Sequence, residues 1–244
     1  MRKTSMRSRT PDVLARAARE RVARSLKSQI NLSVFLGLLV LTVFVMPALG
    51  FASYHQGLYD NVVFSVLLVT GILNGWDERR LFPVAVFAGI IALSVTWASW
   101  WIPANLLGLW REVFTVLAVV MIQCVLMRQI FRPGPITHMR IQGAIAVYLL
   151  FGISWAYGYV IVLHFNPHAF QSTIELSQLP AEWMYFSFVT LTTLGYGEIT
   201  PLSTPARSLA IGEALTGQLY LAVLLARLVA MGIMFPKAGD KEET

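Results

Sequence analysis

Thr190-Leu191-Thr192-Thr193-Leu194-Gly195-Tyr196-Gly197-Glu198 forms a polar loop between two of the longest apolar runs of the chain. Two glycines flanking a tyrosine reach backbone angles that other residues resist, so successive carbonyl oxygens can be turned to one side. A bare Gly-Tyr-Gly is also what a glycine-rich turn looks like, so its neighbourhood has to decide between the two readings. Pro180 to about Leu191 has the pattern of a helix with proline near its first turn. At 1.5 Å per residue that helix is roughly 18 Å long, well short of a hydrocarbon core of about 30 Å. A short re-entrant helix followed by extended backbone is tolerated at membrane depth only where it is buried in protein or lines a water-filled cavity. With long apolar spans on both sides, the loop reads as the wall of a narrow pore.

Thr193-Leu194-Gly195-Tyr196-Gly197 differs by leucine for valine from the Thr-Val-Gly-Tyr-Gly loop of potassium channels, the known example of a filter made of carbonyl rings. From about Ile141 to Val229 the chain resembles the pore domain of tetrameric potassium channels. The resemblance extends to Glu198 after the last glycine, Pro201 three residues later, Arg207 opening the inner helix, and Gly217 twenty residues after Gly197. It implies a homotetramer that conducts potassium passively. The ions would be held by the carbonyls of Thr193, Leu194, Gly195 and Tyr196 and by the Thr193 hydroxyl, with Gly197 closing the motif. Two departures stand out. The acid after the filter is usually aspartate, and Val189 fills a position where some members carry a glutamate that holds it. Filter support is therefore expected from Thr192, from Glu198 itself, and from Tyr185, with Trp183 second, as the donor to the Glu198 carboxylate. Gly217 stands where the resembled family bends its inner helix, so it is expected to be a gating hinge, with the apolar Leu219 to Met231 stretch closing beyond it. Gly212 is the second candidate for that hinge, with an ordinary reading as close helix packing.

The rest of the chain fits a membrane setting. Of its 244 residues 56% are hydrophobic and 13% charged, and a mean hydropathy of +0.63 excludes an ordinary soluble domain. Apolar runs at about Leu32 to Leu49, Tyr59 to Gly75, Leu81 to Ile102, Val113 to Phe131, Ile141 to Phe165 and Ala206 to Phe235 predict six spans. The expected fold is thus an all-α integral membrane protein with six transmembrane helices, a re-entrant pore helix and a selectivity-filter loop. The chain divides into four segments: 1–30, a basic amphipathic cytoplasmic region; 31–132, a four-span bundle; 133–235, the pore domain, entered through the breaker Arg132-Pro133-Gly134-Pro135; and 236–244, a short cytoplasmic tail.

Charge sets the orientation. Seventeen of the nineteen Lys and Arg lie in the amino-terminal region, the Trp76–Arg80 loop, the Arg128–Arg140 connection and the end from Arg227 onward, all on one side of six spans. By the positive-inside rule that side is the cytoplasm, so both termini face inward and the filter faces outside, as expected of a multi-pass plasma-membrane protein. In this setting the basic balance points to anionic lipid at the first segment, and no nucleic-acid partner is expected.

Between Val113 and Met127 there is no basic residue, so the fourth span lacks the arginine ladder of a voltage sensor and weak voltage dependence is expected. Glu213 is a carboxylate inside the inner helix and must face protein or water. Trp97, Trp100, Trp101, Trp110 and Trp183 cluster toward the outer face as an aromatic belt. His164 and His168 have the spacing of a helical metal pair, but Pro167 interrupts the helix and no third ligand stands near. No cofactor is expected beyond the permeant potassium ion, and no enzymatic activity. The alternatives are a non-selective cation channel or a non-conducting partner subunit of the same fold. More distant is a membrane enzyme or metal transporter, which would need a polar cluster within the spans that the sequence does not offer.

Overall fold

The computed structural model describes residues 30–48, 58–75, 81–99, 101–102, 104–134, 136–173 and 180–234. The basic segment up to residue 29, the Trp76–Arg80 loop, Trp100 and the tail beyond 234 lie outside the described residues.

The described chain is mostly helical. α1 (Ile30–Val45) widens into a π-turn at Leu41–Val45 before a last short piece, Met46–Ala48. The cause is Pro47, which has no N–H to give to the Val43 carbonyl and whose ring crowds it. α2 (Leu58–Leu73) and α3 (Phe82–Ala98) come next, the latter with Pro83 in its first turn, where a missing N–H costs little. α4 (Ala104–Ile130), α5 (His138–Phe165), α6 (Pro180–Leu191) and α7 (Thr204–Met234) complete the helices. α4, α5 and α7 contain stretches long and apolar enough to cross a membrane, and α1 to α3 are shorter apolar helices within the described residues. The protein is a helical membrane protein.

The structure departs from the sequence reading at several points. α4 starts at Ala104 rather than near Val113, so Arg111 and Glu112 lie inside a helix and not at a span end. Glu112 is only 2% exposed, and Arg111 holds it at 2.7 Å, the partner a buried carboxylate needs. The fold is also not wholly helical: β1 (Phe170–Ser172) pairs antiparallel with β2 (Ile199–Pro201), with Gln171 opposite Thr200. Trp183 leaves the interfacial belt for the interior, at 1% exposure, while Trp97, Trp101 and Trp110 remain exposed.

One core joins the amino-terminal helices to the later ones. Leu32, Phe35 and Leu39 of α1 and Ile122 and Leu126 of α4 pack with Val147 and Leu150 of α5 and Tyr220 of α7. Tyr220 donates to the Ala144 carbonyl at 2.8 Å, fixing α7 on α5. The Phe131–Gly134 turn after α4 is therefore a bend inside a continuous packing. A second core, largely aromatic, sits beneath the two strands: Phe170, Trp183, Phe186 and Tyr159 meet edge to face, with Tyr159 and Phe186 centroids 4.8 Å apart.

α6 lies against α5 at Gly152. A Cβ built there would stand 2.5 to 2.8 Å from the Phe188 ring, whose flat face occupies the space a side chain would need. Gly152→Ala is expected to destabilise the protein by about 1–3 kcal/mol, seen as a lower unfolding temperature in detergent. An unchanged unfolding temperature would show that the ring can turn aside.

Candidate pore loop

α6 ends in a set of backbone bonds that shape the loop after it. Thr192 N–H donates to the Phe188 carbonyl at 3.0 Å and Thr193 N–H to that of Thr190 at 2.9 Å. Leu194 N–H at 2.9 Å and Gly195 N–H at 3.4 Å both reach the Val189 carbonyl. In a trans peptide the N–H and the preceding C=O point in opposite directions. Three successive N–H groups aimed back at the helix therefore aim the carbonyls of Thr192, Thr193 and Leu194 away from it, to one side. The dihedrals continue the pattern. Thr193, Gly195 and Gly197 have φ of +59°, +60° and +87°, and the intervening Leu194 and Tyr196 do not enter this region. In an ordinary strand successive carbonyls alternate sides, and this alternation of backbone hand cancels that reversal. Glycine takes the left-handed region freely. Thr193 is β-branched and takes it against preference, so its surroundings must hold it there.

Two groups do so. The backbone bond to Thr190 is one, and Gln218 of α7 is the other, its Nε2 donating to Thr193 Oγ1 at 3.3 Å. Sequence reasoning did not single out Gln218, although a polar residue in an apolar inner helix one position after Gly217 was a visible signal. Thr192, expected as support, bonds its hydroxyl to the Phe188 carbonyl at 2.6 Å. Every residue from Thr192 to Glu198 is exposed in the single chain, so the loop turns away from its own subunit's core.

At the outer end, the Tyr185 hydroxyl donates to the Glu198 carboxylate, the pairing expected for Tyr185. That bond, above all, pushes the Tyr185 phenol up to about 12, so it remains a donor through the ordinary pH range. Trp183, the second expected donor, does not reach Glu198. Its indole N–H is buried with no partner among the described residues, inside the aromatic core. Val189 cannot hold Glu198 with its side chain, but its carbonyl is the acceptor that organises the loop. The Glu198 carbonyl accepts from Thr173 N–H at 2.9 Å just beyond β1, and Arg207 Nε donates to the Pro201 carbonyl at 3.2 Å. The small sheet thus clamps the descending chain onto the start of α7.

The inner-helix glycines differ in how tightly they pack. At Gly212 a Cβ would stand 3.3 Å from the Trp155 ring, a contact that can relax. At Gly217 it would collide with the Leu191 carbonyl oxygen, a backbone atom at the end of α6. α7 thus passes tightly against the base of the loop at Gly217, the residue read as a hinge, and runs unbroken through it. Glu213 is fully buried, bonded to Tyr159 of α5 and Ser187 of α6. His164 closes α5 with its Nδ1 3.3 Å from the Val160 carbonyl, whereas His168 lies in the turn after it, so the two do not share a helix face. No group of metal-ligating side chains occurs among the described residues.

At the opposite end, Arg227 of α7 donates to the Phe131 carbonyl and lies over the Phe131 ring, 4.9 Å from its centre. Arg140 donates to the Gly134 carbonyl at 2.9 Å and meets Met231 Sδ at 3.2 Å. Two guanidiniums thus fasten the turn between α4 and α5 to the far end of α7.

Residues 148–233 match a family described as ion channels. The chain is also similar to Protein LctB of Bacillus caldotenax, 35% identical over 65 residues, covering 27% of this chain and 48% of that protein. The chain therefore spans about half the length of the curated relative it matches. No solved structure matches.

This geometry makes two variants informative. Tyr185→Phe removes the donor to Glu198 and is expected to make current decay faster under a steady stimulus; unchanged kinetics would retire Tyr185 as the brace. Gly217→Ala places a methyl against the Leu191 carbonyl and should cost about 1–3 kcal/mol of stability together with current. Unchanged stability with lowered open probability would assign Gly217 to bending rather than to packing.

Proposed function

We propose, from the match of residues 148–233 to a family described as ion channels, that the protein is a potassium-selective channel, not an enzyme, conducting passively through Thr193–Gly197. The observation that carries this reading is the set of carbonyls of Thr192, Thr193 and Leu194 turned to one side by the N–H bonds of Thr193, Leu194 and Gly195. Rings of such carbonyls replace the hydration shell of a dehydrated cation. Closing a ring takes four copies of the single loop, and cyclic symmetry is the natural closed arrangement. Two features support assembly: the loop's exposure in one chain, and the bareness of α7. Only 17% of the α7 apolar window is buried, against 44% in α4 and in α5. In such a ring α6 would point its carbonyl end toward the axis, where its partial negative charge favours a cation.

In this reading the chain is a multi-pass plasma-membrane protein with six spans. Both termini are cytoplasmic, the loop faces outside, and the basic segment 1–30 rests on anionic lipid. The charges inside α4 are Arg111, paired with Glu112, and Arg128 in the last turn, which leaves voltage little to act on.

Flux of potassium and of sodium into liposomes carrying the purified protein tests the proposal. Potassium should pass and sodium should not. Gly195→Ala and Gly197→Ala place side chains in the left-handed region, at about 1–2 kcal/mol per residue, repeated in each copy, and should abolish selective flux while the protein stays in the membrane. Equal passage of both ions would make it a non-selective channel, and no passage a partner subunit. Selective flux retained in either alanine variant would move the filter elsewhere.

A further inference from the structure

Glu213 sits in α7 with 0% exposure, and its contacts among the described residues are hydroxyl groups, not cations. Tyr159 donates to Oε2, and the Ser187 hydroxyl lies against Oε1. The same Ser187 oxygen is 2.7 Å from the Gly152 carbonyl. A hydroxyl has one proton to give, and a carbonyl can only accept. If Glu213 were a carboxylate, Ser187 would face two acceptors with one proton. One of its two oxygen contacts would then be empty of hydrogen in a place water does not reach, at the cost of an unmade buried bond.

One more proton satisfies every atom. Glu213 then donates from Oε1 to Ser187, Ser187 donates to the Gly152 carbonyl, and Tyr159 donates to Oε2. We infer that Glu213 is a neutral carboxylic acid whose proton completes a chain of hydrogen bonds locking α7 and α6 onto α5, and that it is thereby a positioning residue for the pore loop. Ser187 stands two residues before Val189, whose carbonyl receives Leu194 and Gly195, so fixing Ser187 fixes the end of α6 on which the loop hangs. The groups facing Glu213 are Tyr148 and Tyr159 from α5 and Ser187 from α6. Loss of the proton at high pH would break one link of the chain and loosen the loop. The effect on current rests on the channel reading; the protonation of Glu213 does not.

The test uses the full chain in lipid, compared with Glu213→Gln and Glu213→Leu. At neutral pH the infrared spectrum of the unsubstituted protein should contain a protonated-carboxyl C=O band that both variants lack and that fades as pH rises. Glutamine keeps a donor for Ser187 and an acceptor for Tyr159, so it should retain stability and selective potassium flux, and should lose the fall in flux at alkaline pH. Leucine keeps neither and should lose selective flux. Absence of the band at neutral pH overturns the neutral acid. A glutamine variant as impaired as leucine overturns the positioning role, and this comparison decides even if leucine prevents folding. A band present in a protein that passes no ion selectively would sink the channel reading and leave the protonated Glu213 standing.

Discussion

The Val189 carbonyl is the acceptor on which the loop depends. Within an apolar slab, backbone groups must be satisfied from inside the protein. A helix that stops there leaves its last carbonyls without partners. This chain meets both needs by folding back, so that the N–H groups just past α6 fill the carbonyls at its end. The planarity of the peptide does the rest, because a donor turned inward is a carbonyl turned outward. The line of oxygens is thus a consequence of capping a short helix in a dry place, which explains why its length and position matter as much as the glycines after it.

That arrangement is only as firm as the seating of α6, and three contacts set it. Gly152 lets the Phe188 ring lie flat on α5, Gly217 lets α7 press on the last carbonyl of α6, and the Glu213 chain ties the helix from behind. Each needs a particular atom to be missing or present: two absent side chains and one proton. Gln218 and Tyr185 then touch the loop itself, at Thr193 below and at Glu198 above. Thr193 shows why both layers matter. A β-branched residue held at φ +59° stays there only while its neighbours over-determine it.

Much of this was legible in the sequence for a physical reason. The bounds of α6 come from a proline at one end and a threonine-glycine run at the other, both local signals. The Tyr185–Glu198 pairing followed from the resemblance, in which some members hold this acid with a glutamate at the position Val189 fills, so that another donor on α6 was needed. The burial of Glu112 was not legible, because a charged pair within an apolar run looks the same at a span end as inside a helix, and the decision lies with neighbouring helices. Trp183 was misplaced for a similar reason: tryptophan suits both an interfacial belt and an aromatic core. The β1–β2 pair was missed because three-residue strands carry too little alternation to stand out. The role of Gly217 was inferred from its offset alone, and its contact with the Leu191 carbonyl depends on how two helices cross, which offsets do not encode.

The two ends of α7 are held in different ways. Near the loop the contacts are dry and tight, with Gly217 on a carbonyl and Glu213 sealed from solvent. At the far end, Arg227 and Arg140 hold the Phe131–Gly134 turn through carbonyls, a ring face and a thioether, while Leu219, Leu221, Val223, Leu225 and Val229 stay exposed. Packed contacts between rigid groups tend to have one good arrangement, whereas long arginine side chains can follow a moving carbonyl. Within one chain, then, displacement of α7 costs least beyond Tyr220, the last residue that a buried hydrogen bond fixes on α5. The turn fastened there closes α4, so a shift of the amino-terminal helices reaches that end of α7 directly, and reaches the loop through the contacts at Gly217, Gln218 and Glu213.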